Sequence, residues 1–174
     1  MRKLNDAELR DGLTAALAVR RWVDEVASHA PFAALDDMLD AARTAAPLRR
    51  SEIDEALGHH PRIGEKPSGD GAAQQFSRAE QASADADDSA LAAAIADGNR
   101  RYEQRFDRVF LIRAAGRSRA EILVELERRM LLDDQTELAI VSDQLLEIAF
   151  LRLEQTFGPM FGQTFGQTFG EEPV

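Results

Sequence analysis

The sequence predicts an all-α, single-domain helical bundle, and three observations carry that reading. Apolar residues recur at three- and four-residue spacing through most of the chain, the period of a helix face. No stretch alternates apolar and polar residues over the length of a strand. The runs are punctuated as helices are, with Asn or Ser ahead of them and Gly or Pro behind. A length of 174 residues suits one domain, and 44% hydrophobic with 30% charged residues is a globular balance.

Asn5, with Glu8 three places on, is a capping-box start. Leu9, Leu13, Leu17, Val19, Trp22, Val23 and Val26 then predict one helix, ended by His29-Ala30-Pro31-Phe32. Leu35, Met38, Leu39 and Ala42 mark a shorter second helix that stops before Pro47. Ser51 to Leu57 is a third, closed by Gly58 and Pro61. Residues 58–74 carry Gly58, Pro61, Gly64, Pro67, Gly69 and Gly71, the punctuation of a long loop, and loops of that length in compact domains are often functional. A long helix is expected from about Arg78 to Phe106, with Gly98 as a candidate break. Val109 to Gly116 is short and apolar, either an extended connection or a buried helix end. Two more helices follow, Arg119–Leu131 with the stripe Leu123, Leu126, Met130, and Gln135–Gln155 with Leu138, Val141, Leu145, Ile148, Ala149 and Leu153.

The domain is drawn over residues 1–157. Residues 158–174 form a tail in which Phe-Gly-Gln-Thr recurs from Phe161 and Phe165. Each phenylalanine precedes a helix-weakening glycine. A poorly ordered or loosely docked tail is the plainer expectation, and a phenylalanine ladder against a partner subunit is the sharper one.

Composition closes off several functions. A net charge of −10 argues against a general nucleic-acid binder, which needs clustered Lys and Arg. It also requires that an anionic substrate be held by a few local cations. The absence of cysteine removes disulfides, thiolate metal sites and cysteine nucleophiles. No apolar run reaches the ~20 residues that span a bilayer, and the first residues lack the apolar core of a signal peptide. No membrane association and a cytoplasmic site are the default expectation.

Three candidate residues stand out. His60 precedes Pro61, which biases it away from helical backbone, and follows a helix C-terminus, whose dipole favours a cation. A histidine there is expected to sit between charge states near neutral pH, as proton transfer requires. The bland alternative is a surface histidine in a turn. Glu80 closes the capping box Ser77-Arg78-Ala79-Glu80, and Ser118-Arg119-Ala120-Glu121 repeats it, so the tetrapeptide can serve a helix start alone. The first copy differs in following a glycine-rich loop and in carrying Gln81 next, which makes Ser77, Glu80 and Gln81 candidate contacts for a small polar ligand. Arg152, between Leu151 and Leu153, is expected on a partly buried face where it needs an anionic partner. Asn99, Tyr102 and Phe106 share a helix face and can be plain core. No metal motif is present.

In order, these features resemble one family. His60-Pro61-Arg62-Ile63-Gly64, Ser77 with Glu80-Gln81, Asn99 with Tyr102 and Phe106, Phe110-Leu111-Ile112 with Gly116-Arg117-Ser118, and Arg152-Leu153 are similar to the pattern of the OHCU decarboxylases. OHCU is 2-oxo-4-hydroxy-4-carboxy-5-ureidoimidazoline. Leu4-Asn5, Trp22 and Pro31-Phe32 extend the likeness, which covers about residues 4–155. It implies an all-helical fold, commonly a homodimer. It implies a cofactor-independent reaction giving (S)-allantoin, the last step of urate conversion. Carried over, His60 resembles the catalytic histidine. Pro61, Ser77, Glu80, Gln81 and Arg152 resemble ligand contacts, with Glu80 also counted as catalytic. The backbone of Ile112, Arg113, Ala114, Ala115 and Gly116 resembles the remaining binding segment. Asp107-Arg108 after Phe106 departs from the glycine usual in the family, and the Phe-Gly-Gln-Thr tail has no counterpart. Two other functions are open: a helical binding protein without turnover, against which His60, Glu80 and Arg152 together speak, and a decarboxylase of a related ureido acid, for which the same residues would serve.

Overall fold

The computed structural model describes residues 4–65, 75–76, 78–79 and 88–162. Among the described residues there are seven α-helices with both ends defined, one short 3-10 turn, further helical residues at 75–76 and 78–79, and no strand. The helices are α1 (Asp6–Ala16), α2 (Arg20–Ala27), α3 (Leu35–Thr44), α4 (Arg50–Leu57), α5 (Ser89–Phe106), α6 (Arg119–Arg129) and α7 (Asp134–Phe157). The 3-10 turn spans Gly158–Phe161.

Side chains satisfy the first free amides of several helices. Asn5 and Glu8 form the expected capping box on α1, and Ser118 and Glu121 form another on α6. Asp88 accepts from the amides of Ala90 and Leu91, and Asp133 from that of Thr136.

Two departures from expectation concern helix limits. The first predicted helix is two helices, because Leu17 and Val19 take extended backbone (φ −149° and −122°). On one continuous helix, residues two apart point about 200° away from each other. The break lets Leu17 and Val19 both bury, at 1% and 0% exposure. The helix expected from Arg78 also divides. Gln75 and Phe76 are already helical, and Asp88 is an extended cap from which α5 starts anew. Gly98 does not break α5; it is buried against Leu126.

The buried residues fall into two cores. The larger gathers α1 to α4 on the inner face of α7 and includes Leu13, Trp22, Met38, Ile53, Leu145 and Phe157. The smaller lies between α5 and α6, with Ile95, Tyr102, Phe106, Ile122 and Leu126. Phe161 packs on the larger core from beyond α7. The apolar connection between α5 and α6 runs between the two. Val109 and Leu111 join the larger core, and Phe110, Ile112 and Ala114 the smaller. Alternation with a period of two is that of extended backbone, which decides this segment against a buried helix end.

Candidate active site

The loop that follows α4 is fixed by side chains of α5. The Asn99 Nδ2 group donates to the Ile63 carbonyl at 2.9 Å, and both Arg62 nitrogens Nε and Nη2 donate to the Glu103 carboxylate. Ile63 itself is buried in the smaller core beside Ile112 and Ala114. Gly64 has φ 88°, the left-handed region that glycine enters without strain. The loop is therefore seated on α5, and His60 and Pro61 leave it half-buried.

His60 is not poised near neutral pH. Burial first, then the Arg152 guanidinium and His59, push its pKa down to about 3. The helix-end dipole that favours a cation is outweighed by removal from water and by a like charge. His60 is a neutral imidazole at physiological pH.

Arg152 is as buried as its neighbours suggested, at 3% exposure on α7. Its guanidinium lies 5.8 Å from the Phe76 ring centroid and donates from Nη1 to the Ala15 carbonyl at 3.4 Å. Contact with Phe76 places the helical residues 75–76 against α7. Ser77, Glu80 and Gln81 lie outside the described residues.

The Ile112–Gly116 segment is held at successive backbone groups. The Leu111 carbonyl accepts from Arg129 Nη1 at 2.7 Å. The Arg113 amide donates to Gln144 Oε1 at 2.9 Å, and the Arg113 carbonyl accepts from Arg117 Nε at 3.2 Å. The Arg117 amide closes a turn on the Ala114 carbonyl at 3.0 Å, with Gly116 at φ 78° in the position where a type II turn favours glycine. Among the described residues, the amides of Ile112, Ala114, Ala115 and Gly116 donate to no protein acceptor. Four unengaged amides in five residues can receive a polar ligand or a developing negative charge. The fifth, Arg113, is engaged.

Residues that the sequence reading did not single out complete the arrangement. Gln144, Arg129 and Glu137 act on the binding segment or on its support, and Phe76 flanks Arg152. Arg129 and Glu137 were legible in principle, since each is a charge standing on an apolar stripe: Ile122, Leu126, Arg129 on α6, and Glu137, Val141, Leu145 on α7. No sequence signal marks Gln144. Among the described residues, no three His, Asp or Glu side chains cluster as metal ligands, and no helix is long and apolar enough to cross a membrane.

Comparison with known proteins agrees with this frame. The sequence profile of the OHCU decarboxylase family matches residues 2–154. A crystal structure of OHCU decarboxylase in the presence of (S)-allantoin is similar with a TM-score of 0.70 and 23% identity, covering 85% of this chain and 98% of that one. A crystal structure of (S)-allantoin synthase is similar with a TM-score of 0.61 and 14% identity, covering 88% of this chain and 51% of that one. Both likenesses are of fold. No curated protein matches the sequence.

Proposed function

This chain belongs to the OHCU decarboxylase family, and on that premise we propose that it is a carboxy-lyase converting OHCU to (S)-allantoin, the last step from urate. The observation that carries the reading is a neutral His60 under the influence of the buried Arg152 cation; a backbone segment with unengaged amides, clasped by Gln144 of the same helix as Arg152, supports it.

The reaction breaks the bond between a ring carbon and its carboxylate. The electron pair left behind forms a double bond to the ureido-bearing ring carbon, and the C=N pair it displaces moves onto the ring nitrogen, which takes a proton from solvent. The ring hydroxyl gives up its proton to become a carbonyl, and a proton adds to one face of the carbon that bears the ureido group. Arg152 supplies the cation that a substrate anion needs on a chain of net charge −10. The amides of Ile112 and Ala114–Gly116, with Gln81, are suited to the ureido and imidazolone oxygens, where they offset charge that develops as carbon dioxide leaves. His60 acts on the substrate hydroxyl or carboxylate. A carboxylate arriving beside Arg152 offsets the charge that disfavours the imidazolium, so binding itself raises the proton affinity of His60. Pro61 and Ser77 complete the contacts, and Glu80 orients His60 or touches the substrate. No cofactor or metal enters this reading. The enzyme works as a cytoplasmic homodimer of the 1–157 domain, with 158–174 as an appended tail.

The test supplies urate, urate oxidase and hydroxyisourate hydrolase, then follows circular dichroism with time. OHCU also decays unaided, so the informative signal is chirality. Rapid appearance of the single (S) enantiomer is expected, and its loss in a folded His60→Asn variant, a fall of at least about 100-fold in rate. Slow racemic product unchanged by the protein rejects the reading.

A further inference from the structure

We infer that Gln144 is a positioning residue for the binding segment, setting through the Arg113 amide the direction in which the neighbouring amides face. The inference rests on the function proposed above.

Gln144 stands on α7 one turn before Ile148 and two before Arg152. Residues eight apart on a helix are offset by about 80° around its axis and about 12 Å along it, so both belong to one side of α7. The carboxylate-binding cation and the clasp on the amide segment are thus mounted on a single rigid element. The clasp is one bond: Gln144 Oε1 accepts from the Arg113 amide at 2.9 Å. Arg113 is the only member of the Ile112–Gly116 segment whose amide is taken by the protein among the described residues. Its flanking amides belong to peptide groups joined to the one Gln144 holds through the soft ψ of Ile112 and φ of Arg113, so fixing that peptide narrows the orientations they can take.

The Leu111 carbonyl, the neighbouring anchor, is bonded by Arg129 from within the smaller core, where a substitution would disturb packing. Gln144 is half-buried and carries no such burden. Its loss should free the segment while leaving the fold in place. The binding segment holds the substrate oxygens before the reaction and faces developing charge during it, so loosening it is expected to raise KM and to lower kcat by a smaller factor.

The experiment compares Gln144→Leu, which keeps the size and removes the acceptor, with Gln144→Glu, which keeps an acceptor. Steady-state kinetics on OHCU generated in place, thermal melts and amide hydrogen exchange at Arg113 are measured for each. Gln144→Leu is expected to raise KM about tenfold with kcat within about threefold, and to lose protection at Arg113 without a comparable fall in Tm. Gln144→Glu is expected to restore KM to within about threefold of the parent. A parent-like KM in Gln144→Leu overturns the inference while leaving the decarboxylase reading intact, as does an equal rise in both variants. Absence of turnover by the parent chain removes the decarboxylase reading, and the inference with it.

Discussion

A histidine that takes up its proton only near pH 3 is a base held in reserve, and the surroundings of His60 make it one. Its sequence position, beyond a helix C-terminus and before a proline, suggested the opposite charge preference. The chain could not reveal that Arg152, ninety-two places on, stands beside it; that is a tertiary fact set by the packing of α1 and α4 on α7. Removing the cation should therefore move the imidazole. In Arg152→Met the His60 pKa is expected to rise from about 3 toward its ordinary 6.5, read by NMR titration of the ring, and to stop short because burial is the larger cause. The same depression has a stability consequence of definite sign. A histidine whose folded pKa lies below its unfolded one contributes in full above pH 6.5 and loses that contribution as pH falls toward 3. The slope is at most about 1.4 kcal/mol per pH unit. Urea denaturation at pH 7 and pH 5 should show the parent losing more stability than His60→Asn, and equal losses would mean that the imidazole is already protonated at pH 5.

Helix existence was legible because apolar period and caps agree at most elements. The two limits that were misplaced have one cause each. Leu17 and Val19 fit a helical stripe on paper, yet both reach the core only through an extended break. Asp88 was one acidic residue among several, and only its bonds to Ala90 and Leu91 mark it as a cap. Gly98 was suspected as a breaker for its backbone freedom, but its role is to admit a neighbour. A Cβ added there would stand 2.8 Å and 3.0 Å from the two methyl groups of Leu126, which is fully buried and cannot swing away. Alanine in a helix interior ordinarily gains about 1 kcal/mol over glycine, whereas overpacking costs about 1–3 kcal/mol. Gly98→Ala is therefore expected to lose about 1 kcal/mol, measured by urea denaturation, with a larger loss if α5 and α6 cannot part. A gain of stability would show that this helix pair can separate freely.

The two cores are joined through charge as well as through the 109–114 connection. Arg129 and Glu137 are both 0% exposed, and their ion pair takes a hydrogen bond from the Tyr102 hydroxyl. Arg129 also bonds the Leu111 carbonyl and lies 4.6 Å from the Phe110 ring centroid. One network thus binds α5, α6, α7 and the root of the binding segment. Sequence reading of α6 placed its apolar stripe at Leu123, Leu126 and Met130, and all three pack on the smaller core; Leu123 and Met130 do so from its edge, while Ile122 and Arg129 are buried with Leu126, because Arg129 has a partner there that a hydropathy pattern does not count. A buried pair of this kind contributes little net stability against apolar replacements, but breaking one side leaves a charge stranded, at about 3–5 kcal/mol. Glu137→Gln and Arg129→Met should each be that costly in urea denaturation. Together they should cost less than their sum, since the second change removes the charge the first one strands, while the Leu111 carbonyl and Tyr102 hydroxyl keep the double variant below the parent by about 1–3 kcal/mol each. Additive losses would mean that the two residues act independently, and Arg129 would then hold the Leu111 carbonyl without help from Glu137.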